Sequence, residues 1–309
     1  MRVFITGASG WIGSAVVPEL IEAGHQVVGL ARSEASAEAL AAAGAEVRRG
    51  SLDDLDVLRE AAAEADGVLH LAFKHDIAFS GDFQGATDAD RRAIDAFGDA
   101  LAGSGKPFVI ASGLLGLAPG RVATEEDGQS ADPQASAGGP GGRQDNARAT
   151  LALASRDVRS SVVRLPPTVH GDGDQGFIAS LIANARDKGV SGYVGDGSGR
   201  WPAAHRSDAA HLFRLALENA PAGTTLHAAA EEGVGLRSVA ETIGRHLGVP
   251  VVSVAPEDAA GHFGWLGAMV SLDSPASSAL TRERFGWKPA GPGLVEDLDQ
   301  GHYFRAPAK

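Results

Sequence analysis

Runs of apolar residues alternate with amphipathic segments through the first half of the chain. The apolar runs predict strands, and they read RVFITG, HQVVGLA, AEVRRG, GVLHLAF, KPFVIAS and SSVVRLP. The segments between them have helical periodicity, and they read WIGSAVVPELIEAG, EASAEALAAAG, LDVLREAAAEA and ATDADRRAIDAFGDALAGSG, with a further helix over about 145–156. Alternation of strand and helix is typical of a parallel sheet covered on both faces, so we expect an α/β, doubly wound fold of the Rossmann type.

The regular spacing of these elements breaks after Ser112. Residues 116–143 are rich in Gly, Ala, Pro, Ser and acidic residues, and a polar loop of this length is usually functional or mobile, with a solvated loop as the alternative. Strands become fewer and helices shorter beyond residue 171. We therefore predict a dinucleotide-binding domain over 1–170 and a small C-terminal substrate lobe over 171–309, with interleaving of the two left open.

Composition and charge narrow the classes of function. The chain has 309 residues, enough for one large domain or two smaller ones. Its net charge of −12 argues against nucleic acid or an anionic membrane as the main partner, because both attract clustered Lys and Arg. The absence of cysteine excludes disulfides and thiolate catalysis. Since no charged leader and no apolar run of about 18 residues is found, we expect a soluble, cytoplasmic protein.

The segment TGASGWIG, residues 6–13, joins the first predicted strand to the first predicted helix. Gly7 suits a tight turn, Gly10 suits a close backbone approach to a pyrophosphate, and Gly13 suits close packing of helix on strand. The pyrophosphate would lie at the positive N-terminus of the helix. We therefore predict a dinucleotide cradle, with a glycine-rich turn that holds no ligand as the alternative.

The end of the second predicted strand bears on the choice between NAD and NADP. A site for NAD usually has an acid there, whereas GLARSEA supplies Ala31, Arg32 and Ser33. We expect no carboxylate to be available there to repel a phosphate, and Arg32 is suited to charge-assisted bonds with a 2′-phosphate. We therefore favour NADP (NADPH) over NAD, with an ordinary surface arginine as the alternative reading of Arg32.

The glycine spacing TGxxGxxG resembles the short-chain dehydrogenase/reductase superfamily, and later segments resemble its extended branch, the NAD(P)-dependent epimerase/dehydratase family. These segments are Gly50-Ser51-Leu52, where relatives place Asp-Leu against the adenine; His70-Leu71-Ala72, similar to the HLA segment that lines the nicotinamide ribose; Arg164-Leu165-Pro166 with Val169-His170-Gly171, similar to RPxxVYG; His205-Arg206-Ser207-Asp208, similar to HVxD; and Phe285-Gly286-Trp287-Lys288-Pro289, similar to LGWxP. The predicted cofactor contacts are Thr6, Gly7, Ser9, Gly10, Trp11, Ile12, Gly13, Arg32, Ser33, Ser51, Leu52, Leu71, Ala72, Phe73 and Pro166.

The tyrosine of the family's YxxxK pair is missing from this chain. The resemblance implies a Tyr that donates a proton, a Lys that lowers the Tyr pKa and holds the nicotinamide ribose, and a Ser or Thr that polarises the oxygen. Only Tyr193 and Tyr303 are present and neither starts YxxxK; the Tyr and Lys positions fall near Gly139 and Arg143. Either another group supplies the proton, or the chemistry does not need it, or the protein binds a dinucleotide without turning it over.

Several residues are candidates to replace the missing pair. Ser112 ends the fifth predicted strand and is predicted to polarise the oxygen, with a turn serine as the alternative. Lys74, His75 and His170 lie near strand ends and are candidate proton donors, against a solvated loop for the first two and a structural histidine for the third. Arg143 is a candidate cation for the ribose or a surface charge, and it is too basic to act as an acid.

Other kinds of site find little support. His205 and Asp208 lack a third ligand, so no metal site is predicted, and no GxSxG elbow indicates a hydrolase. Aromatic residues near Tyr193, Trp201 and Trp265 suit either a substrate pocket or core packing.

We expect an NADP(H)-dependent oxidoreductase that acts on a small, fairly apolar carbonyl or alcohol. One alternative is a cofactor-retaining epimerase, dehydratase or lyase, and the other is a non-catalytic, dinucleotide-sensing protein. Sugar nucleotides are less favoured as substrates, because the sequence has no evident cationic clamp. The resemblance also implies a homodimer through the helices that follow strands four and five.

Overall fold

The computed structural model describes residues 1–128 and 141–305 of the chain. Its strands are β1 (Arg2–Thr6), β2 (Gln26–Ala31), β3 (Glu46–Arg49), β4 (Gly67–His70), β5 (Pro107–Gly113), β6 (Arg159–Leu165), β7 (Thr168–His170), β8 (Ser191–Val194), β9 (Arg200–His205), β10 (Thr224–His227), β11 (Glu231–Gly235) and β12 (Val251–Val254). Its helices are α1 (Gly13–Glu22), α2 (Glu34–Ala42), α3 (Leu55–Glu64), α4 (His75–Phe79), α5 (Phe83–Leu101), α6 (Gly141–Ala152), α7 (Phe177–Lys188), α8 (Arg206–Asn219), α9 (Leu236–Leu247), α10 (Ala259–Phe263), α11 (Gly267–Val270), α12 (Ala279–Phe285) and α13 (Leu294–Asp299).

Seven parallel strands form the central sheet, in the order β10-β6-β5-β4-β1-β2-β3. Helices α1, α2 and α8 cover one face of this sheet, and α3, α5 and α6 cover the other. Alternate residues of one strand enter the two layers: Val3 and Ile5 face α1, whereas Phe4 faces α3 and α5. The predicted doubly wound α/β fold and its first six strands are therefore confirmed.

The end of β4 departs from the prediction. The strand stops at His70, three residues before the end of the predicted run GVLHLAF. The amide of Leu71 still donates to the Thr6 carbonyl (3.1 Å), but the chain then leaves the sheet and forms the short helix α4, which the sequence pattern did not predict.

Two helices begin earlier than predicted. Helix α5 starts at Phe83 because the Asp82 carboxylate accepts the Gly85 amide (2.8 Å) and caps the helix three residues ahead of the predicted start. Helix α6 starts at Gly141, and the predicted helix over 145–156 is observed as the rest of α6 followed by the 3₁₀ turn Leu153–Arg156.

The chain beyond residue 171 contributes to both lobes. Helix α8 packs against α1, and β10 extends the central sheet by pairing with β6. Trp287, after α12, is buried in the same layer and donates from Nε1 to the Asp208 carbonyl (3.0 Å). Helix α8, strand β10 and Trp287, all beyond residue 171, therefore lie in the layers of the central sheet.

The second lobe is built from the sheet β11-β9-β7, the pair β12-β8, and helices including α7, α9 and α13. Trp201 is fully buried in its core, and the ring of Phe177 lies 5.9 Å away between centroids. Trp201 therefore packs the interior of this lobe, whereas Trp265 is 53% exposed. Across residues 1–128 and 141–305, no helix has both the length and the apolar character needed to cross a membrane.

Candidate cofactor and catalytic cleft

The glycine-rich turn between β1 and α1 is packed tightly on its own backbone. Gly7 has a φ of +69°, and a Cβ there would lie 2.7 Å from the Ala72 amide nitrogen. A Cβ on Gly13 would lie 2.1 Å from the Gly7 carbonyl oxygen. Ile12 precedes α1 and provides no side-chain cap, so the N-terminal amides of the helix have no side-chain partner there. These features fit a dinucleotide pyrophosphate, which would accept hydrogen bonds from such amides.

Trp11 links this turn to the second lobe. Its indole Nε1 donates to the Val169 carbonyl at the start of the lobe sheet (2.8 Å), and the Arg206 guanidinium lies 4.3 Å from the ring centroid. The side chain of Trp11 therefore holds the glycine-rich turn against β7 and the start of α8.

A buried polar network lies beneath the turn. The Thr6 hydroxyl and His70 Nδ1 are 2.6 Å apart, and His70 Nε2 lies 3.1 Å from the Asp90 carboxylate. Asn146 of α6 donates to the other Asp90 oxygen (2.7 Å). Burial raises the pKa of Asp90, but the bonds from His70 and Asn146 and the charge of Arg143 outweigh burial and hold that pKa below its ordinary value. Sequence reasoning missed Asp90 and Asn146, which lie on separate helices.

Ser112 lies at the carboxyl end of β5, where ligands bind in sheets of this type. It is 3% exposed, and its Oγ has no hydrogen-bond partner in the part of the chain that the structure covers. Helix α6 holds the backbone on both sides of it: Arg143 donates to the Ala111 carbonyl (2.9 Å), and Gln144 donates to the Gly113 carbonyl (3.2 Å). Gly139, near the expected tyrosine position, lies outside the described residues.

Arg143 and His75 share an aromatic neighbour. The Arg143 guanidinium lies 4.3 Å from the centroid of the Phe73 ring, and the His75 ring lies 5.1 Å from that ring. Desolvation of the imidazole, followed by the nearby Arg143 charge, lowers the pKa of His75, although the residue as a whole keeps more than a third of its surface exposed. Arg143 is therefore positioned from α6 toward the ends of β4 and β5.

Lys74 lies over the other half of the cleft. Its Nζ is 2.7 Å from both carboxylate oxygens of Asp53, which follows β3. In the sheet order β4-β1-β2-β3 this contact crosses above β1 and β2, the strands that flank the adenosine half of a Rossmann site. Lys74 is therefore held away from the β4–β5 side, where Ser112 and Arg143 lie.

Asp76 corrects one expectation about the adenosine half. The sequence suggested that no carboxylate stands near Arg32, but Asp76 of α4 lies 3.5 Å from it. The expectation was wrong because this carboxylate comes from the segment after β4 rather than from the end of β2. Ser33 caps α2 by accepting the Ser36 amide, and the Ser51 hydroxyl donates to Asp54.

His170 lies in the interior of the second lobe. It is fully buried, and its Nδ1 is 2.9 Å from the Asp297 carboxylate of α13. Its ring lies 5.6 Å from that of His205. This environment fits the alternative of a structural histidine.

A second buried cluster joins β6 to β10. Arg164 is fully buried, and its Nη1 donates to the Asp127 carbonyl (2.7 Å) and toward His227 Nε2 (3.3 Å). His227 Nδ1 lies 2.8 Å from the Ser277 carbonyl. Burial, together with the Arg164 charge, lowers the pKa of His227 to about 4, so the imidazole is neutral in the folded protein near pH 7.

Comparisons with known proteins identify the family. Residues 3–88 match the model of the NAD dependent epimerase/dehydratase family. An uncharacterized protein of Schizosaccharomyces pombe is 48% identical over 305 residues, which cover 98% of this chain and all of the relative. A 4-hydroxy-2-methyl-3-oxo-4-farnesyl-3,4-dihydroquinoline-1-oxide ketoreductase of Stigmatella aurantiaca is 27% identical and covers 89% of this chain and 84% of its own.

A solved structure gives the same result for the fold. MoeE5 in complex with UDP-glucose and NAD superposes with a TM-score of 0.74 at 21% identity, covering 98% of this chain and 97% of that one. The chain therefore belongs to the NAD-dependent epimerase/dehydratase family, the extended branch of the short-chain dehydrogenases, and is an NAD(P)-dependent enzyme of that type.

Proposed function

We propose that the protein is an NADP(H)-dependent oxidoreductase that interconverts a small, fairly apolar carbonyl compound and its alcohol. The observation that carries this proposal is Ser112, a buried hydroxyl with no partner among the described residues, at the carboxyl end of β5. A buried hydroxyl without a partner costs free energy, and a substrate oxygen would satisfy it. The similarity to a ketoreductase supports a carbonyl as the reacting group.

The residues of the cleft suit a bound dinucleotide along its whole length. The backbone of Gly7, Ser9, Gly10 and Ile12 would hold the pyrophosphate, and Arg32 would hold the 2′-phosphate. The remaining contacts would come from the ends of β1, β2, β3, β4 and β6 and from Trp11, through Thr6, Gly13, Ser33, Ser51, Leu52, Leu71, Ala72, Phe73 and Pro166. When bound, the nicotinamide supplies or accepts the hydride.

Ser112 polarises the substrate oxygen, and Arg143 takes the place of the missing lysine. The Ser112 hydroxyl donates to the substrate oxygen and stabilises the negative charge that develops there during reduction. Arg143, held by the Ala111 carbonyl and the Phe73 ring, supplies a fixed positive charge toward the nicotinamide ribose. It keeps its proton throughout, so it positions and does not act as the acid.

The proton needs a different route. Lys74 is bound to Asp53 over the adenosine half, and His170 is buried beside Asp297. His75 lies beside Phe73, on the same side as Arg143, and burial of its imidazole lowers its pKa, which favours the neutral form. A neutral imidazole accepts the alcohol proton during oxidation and relays a proton from water during reduction, so we assign the proton path to His75 and the adjoining water.

Two further parts of the proposal concern the protein's surroundings. We propose a homodimer through α5 and α6, the helices that follow β4 and β5, which is checked by sedimentation at several protein concentrations. We also propose a cytoplasmic location, which the absence of cysteine supports.

The proposal is tested by titrating the protein with NADPH and with NADH and then screening carbonyl compounds by nicotinamide absorbance. Tight binding of NADPH followed by turnover of a small ketone or aldehyde is the expected result. Tight binding without turnover on a broad panel would overturn the oxidoreductase and favour a cofactor-retaining epimerase, dehydratase or lyase, or a sensor. Failure to bind either dinucleotide would overturn the assignment of the glycine-rich turn.

A further inference from the structure

Arg32, the predicted ligand of the 2′-phosphate, forms an ion pair with a carboxylate of the protein itself. Its Nη1 lies 3.5 Å from the Asp76 carboxylate, and both side chains are mostly exposed, at 73% and 62%. The other Asp76 oxygen accepts the Ile77 amide (3.1 Å), which fixes the carboxylate at the start of α4. The cation predicted to bind the 2′-phosphate is therefore engaged by an acid that is itself anchored.

The ion pair spans the cleft. Arg32 follows β2 and Asp76 lies in α4, which follows β4, while β1 lies between these two strands. The pair therefore crosses the carboxyl end of β1, beside the glycine-rich turn. The contact of Lys74 with Asp53 runs in the same direction, so the segment 74–76 is tied to the adenosine wall at two points.

Neighbouring cations are engaged elsewhere. Arg49 donates to the Glu34 carboxylate (2.6 Å) and to the Ser33 carbonyl (3.1 Å). Lys74 is held by Asp53. Around the end of β2, the cations in the described ranges are thus each paired with an acid, and a 2′-phosphate at Arg32 would meet the Asp76 charge as well.

We propose that Asp76 is a specificity-determining residue, whose carboxylate competes with the 2′-phosphate of NADP for Arg32 and so reduces the preference for NADP over NAD. The inference rests on the proposed function, in which Arg32 binds that phosphate. A phosphate dianion beside Asp76 is repelled, whereas a ribose hydroxyl in the same place donates a hydrogen bond to it. Arg32 therefore favours NADP and Asp76 favours NAD, and the balance between the two residues sets the cofactor preference.

The test measures binding of adenosine fragments by calorimetry, so its readout is independent of turnover. The probes are 2′,5′-ADP and 5′-ADP, followed by NADPH and NADH. Asp76→Asn keeps the oxygen that accepts the Ile77 amide and removes the charge. It is expected to tighten 2′,5′-ADP and NADPH about three- to tenfold and to leave 5′-ADP and NADH no tighter.

A matched control removes an acid from the same sheet edge without touching Arg32. Asp56→Asn breaks an exposed pair with Arg59 in the first turn of α3 and changes the net charge equally. All four affinities of this variant should equal those of the unmodified protein. An equal gain for 2′,5′-ADP in both variants would overturn the inference, because the effect would then be one of net charge.

Arg32→Ala separates this inference from the proposed function. If it weakens 2′,5′-ADP about tenfold and 5′-ADP hardly at all, Arg32 is the phosphate ligand. If both fragments weaken equally, the proposed preference for NADP fails and the role of Asp76 fails with it. A selective effect of Arg32→Ala combined with no effect of Asp76→Asn would overturn the role of Asp76 alone.

Discussion

Two side chains of α6 hold the backbone on either side of Ser112 in place. Arg143 and Gln144, consecutive residues of α6, bind the carbonyls on either side of it, and its own hydroxyl has no partner within residues 1–128 and 141–305. A strand end fixed at both flanking carbonyls orients the hydroxyl with little freedom, which is what a preorganised donor to a developing oxyanion requires. A turn serine with a structural role would instead bond to its own backbone.

Ser112→Ala tests this reading at the level of one atom. The substitution should lower kcat for the best carbonyl substrate by about 100-fold, because one preorganised donor to the oxyanion is lost. The dissociation constant for NADPH, measured by nicotinamide fluorescence, should stay unchanged. Ser112→Thr keeps a hydroxyl and should recover part of the loss. Unchanged kcat in the alanine variant would remove Ser112 from the mechanism.

The sequence pattern places single residues of the proposed cleft more directly than it places their partners. Gly7 follows the end of β1 and Ser112 lies at the end of β5, and the strand pattern alone locates a strand end to within a residue or two. Asp76 reaches Arg32 only because the chain turns into α4 after β4, and the apolar pattern of GVLHLAF hides that turn. A partner that depends on the direction of a short helix leaves no periodic signal in the sequence.

At the scale of elements, the sequence predicted regular buried strands, and it missed elements whose position depends on pairing or capping. Five of the first six strands were predicted because each is an apolar run in a buried parallel sheet, whereas β3 reads EVRR and lies at the exposed edge of the sheet. The remaining strand of the central sheet, β10, is short and reads TTLH. It belongs to this sheet because it pairs with β6, and its own sequence pattern does not indicate this. The start of α5 at Phe83 was missed because the Asp82 side chain caps the helix there.

The junction of β1 and α1 is the element most sensitive to a single methyl group. Gly13→Ala would place a Cβ 2.1 Å from the Gly7 carbonyl oxygen, within backbone that has no room to move. We expect a loss of about 1–3 kcal/mol in the free energy of unfolding, measured with urea, together with weaker binding of NADPH.

Gly261→Ala provides the comparison for this change. Gly261 lies in α10, and a Cβ there has no heavy atom within 4 Å. Alanine also favours a helix more than glycine does, so this variant should be at least as stable as the unmodified protein. Equal stability of the two alanine variants would contradict the packing of the glycine-rich turn described above.

At the scale of the whole molecule, interleaving ties the two lobes together. Helix α8 and strand β10 belong to the central layers, whereas the segments before and after them build the second lobe. The Arg164 and His227 cluster lies at this crossing, where β6 pairs with β10 and the segment before α12 returns. The core around β6 and β10 is therefore shared between the two halves of the chain, and neither lobe is a separate stretch of chain.

His227 makes the stability of this shared core depend on pH. Its pKa is lowered from 6.5 to about 4 by burial and the Arg164 charge, with Glu125 and Asp127 opposing that shift. Below pH 6.5 His227 is protonated in the unfolded chain, whereas in the folded protein it stays neutral down to about pH 4. The free energy of unfolding therefore falls as the pH drops from 6.5 to about 4. The contribution of this one group is about 3 kcal/mol across that window.

The measurement is urea unfolding of the unmodified protein and of His227→Gln at pH 7 and at pH 4.5. The variant loses hydrogen bonds and should be less stable at pH 7, but its further loss on acidification should be smaller by up to about 3 kcal/mol. Ser278→Ala is the control, because it removes a buried hydrogen bond to the Ala229 carbonyl nearby and keeps the imidazole. It should show the full loss on acidification. The same loss in His227→Gln as in Ser278→Ala would mean that His227 is not the group that titrates, and that the acid sensitivity of the shared core lies in its carboxylates.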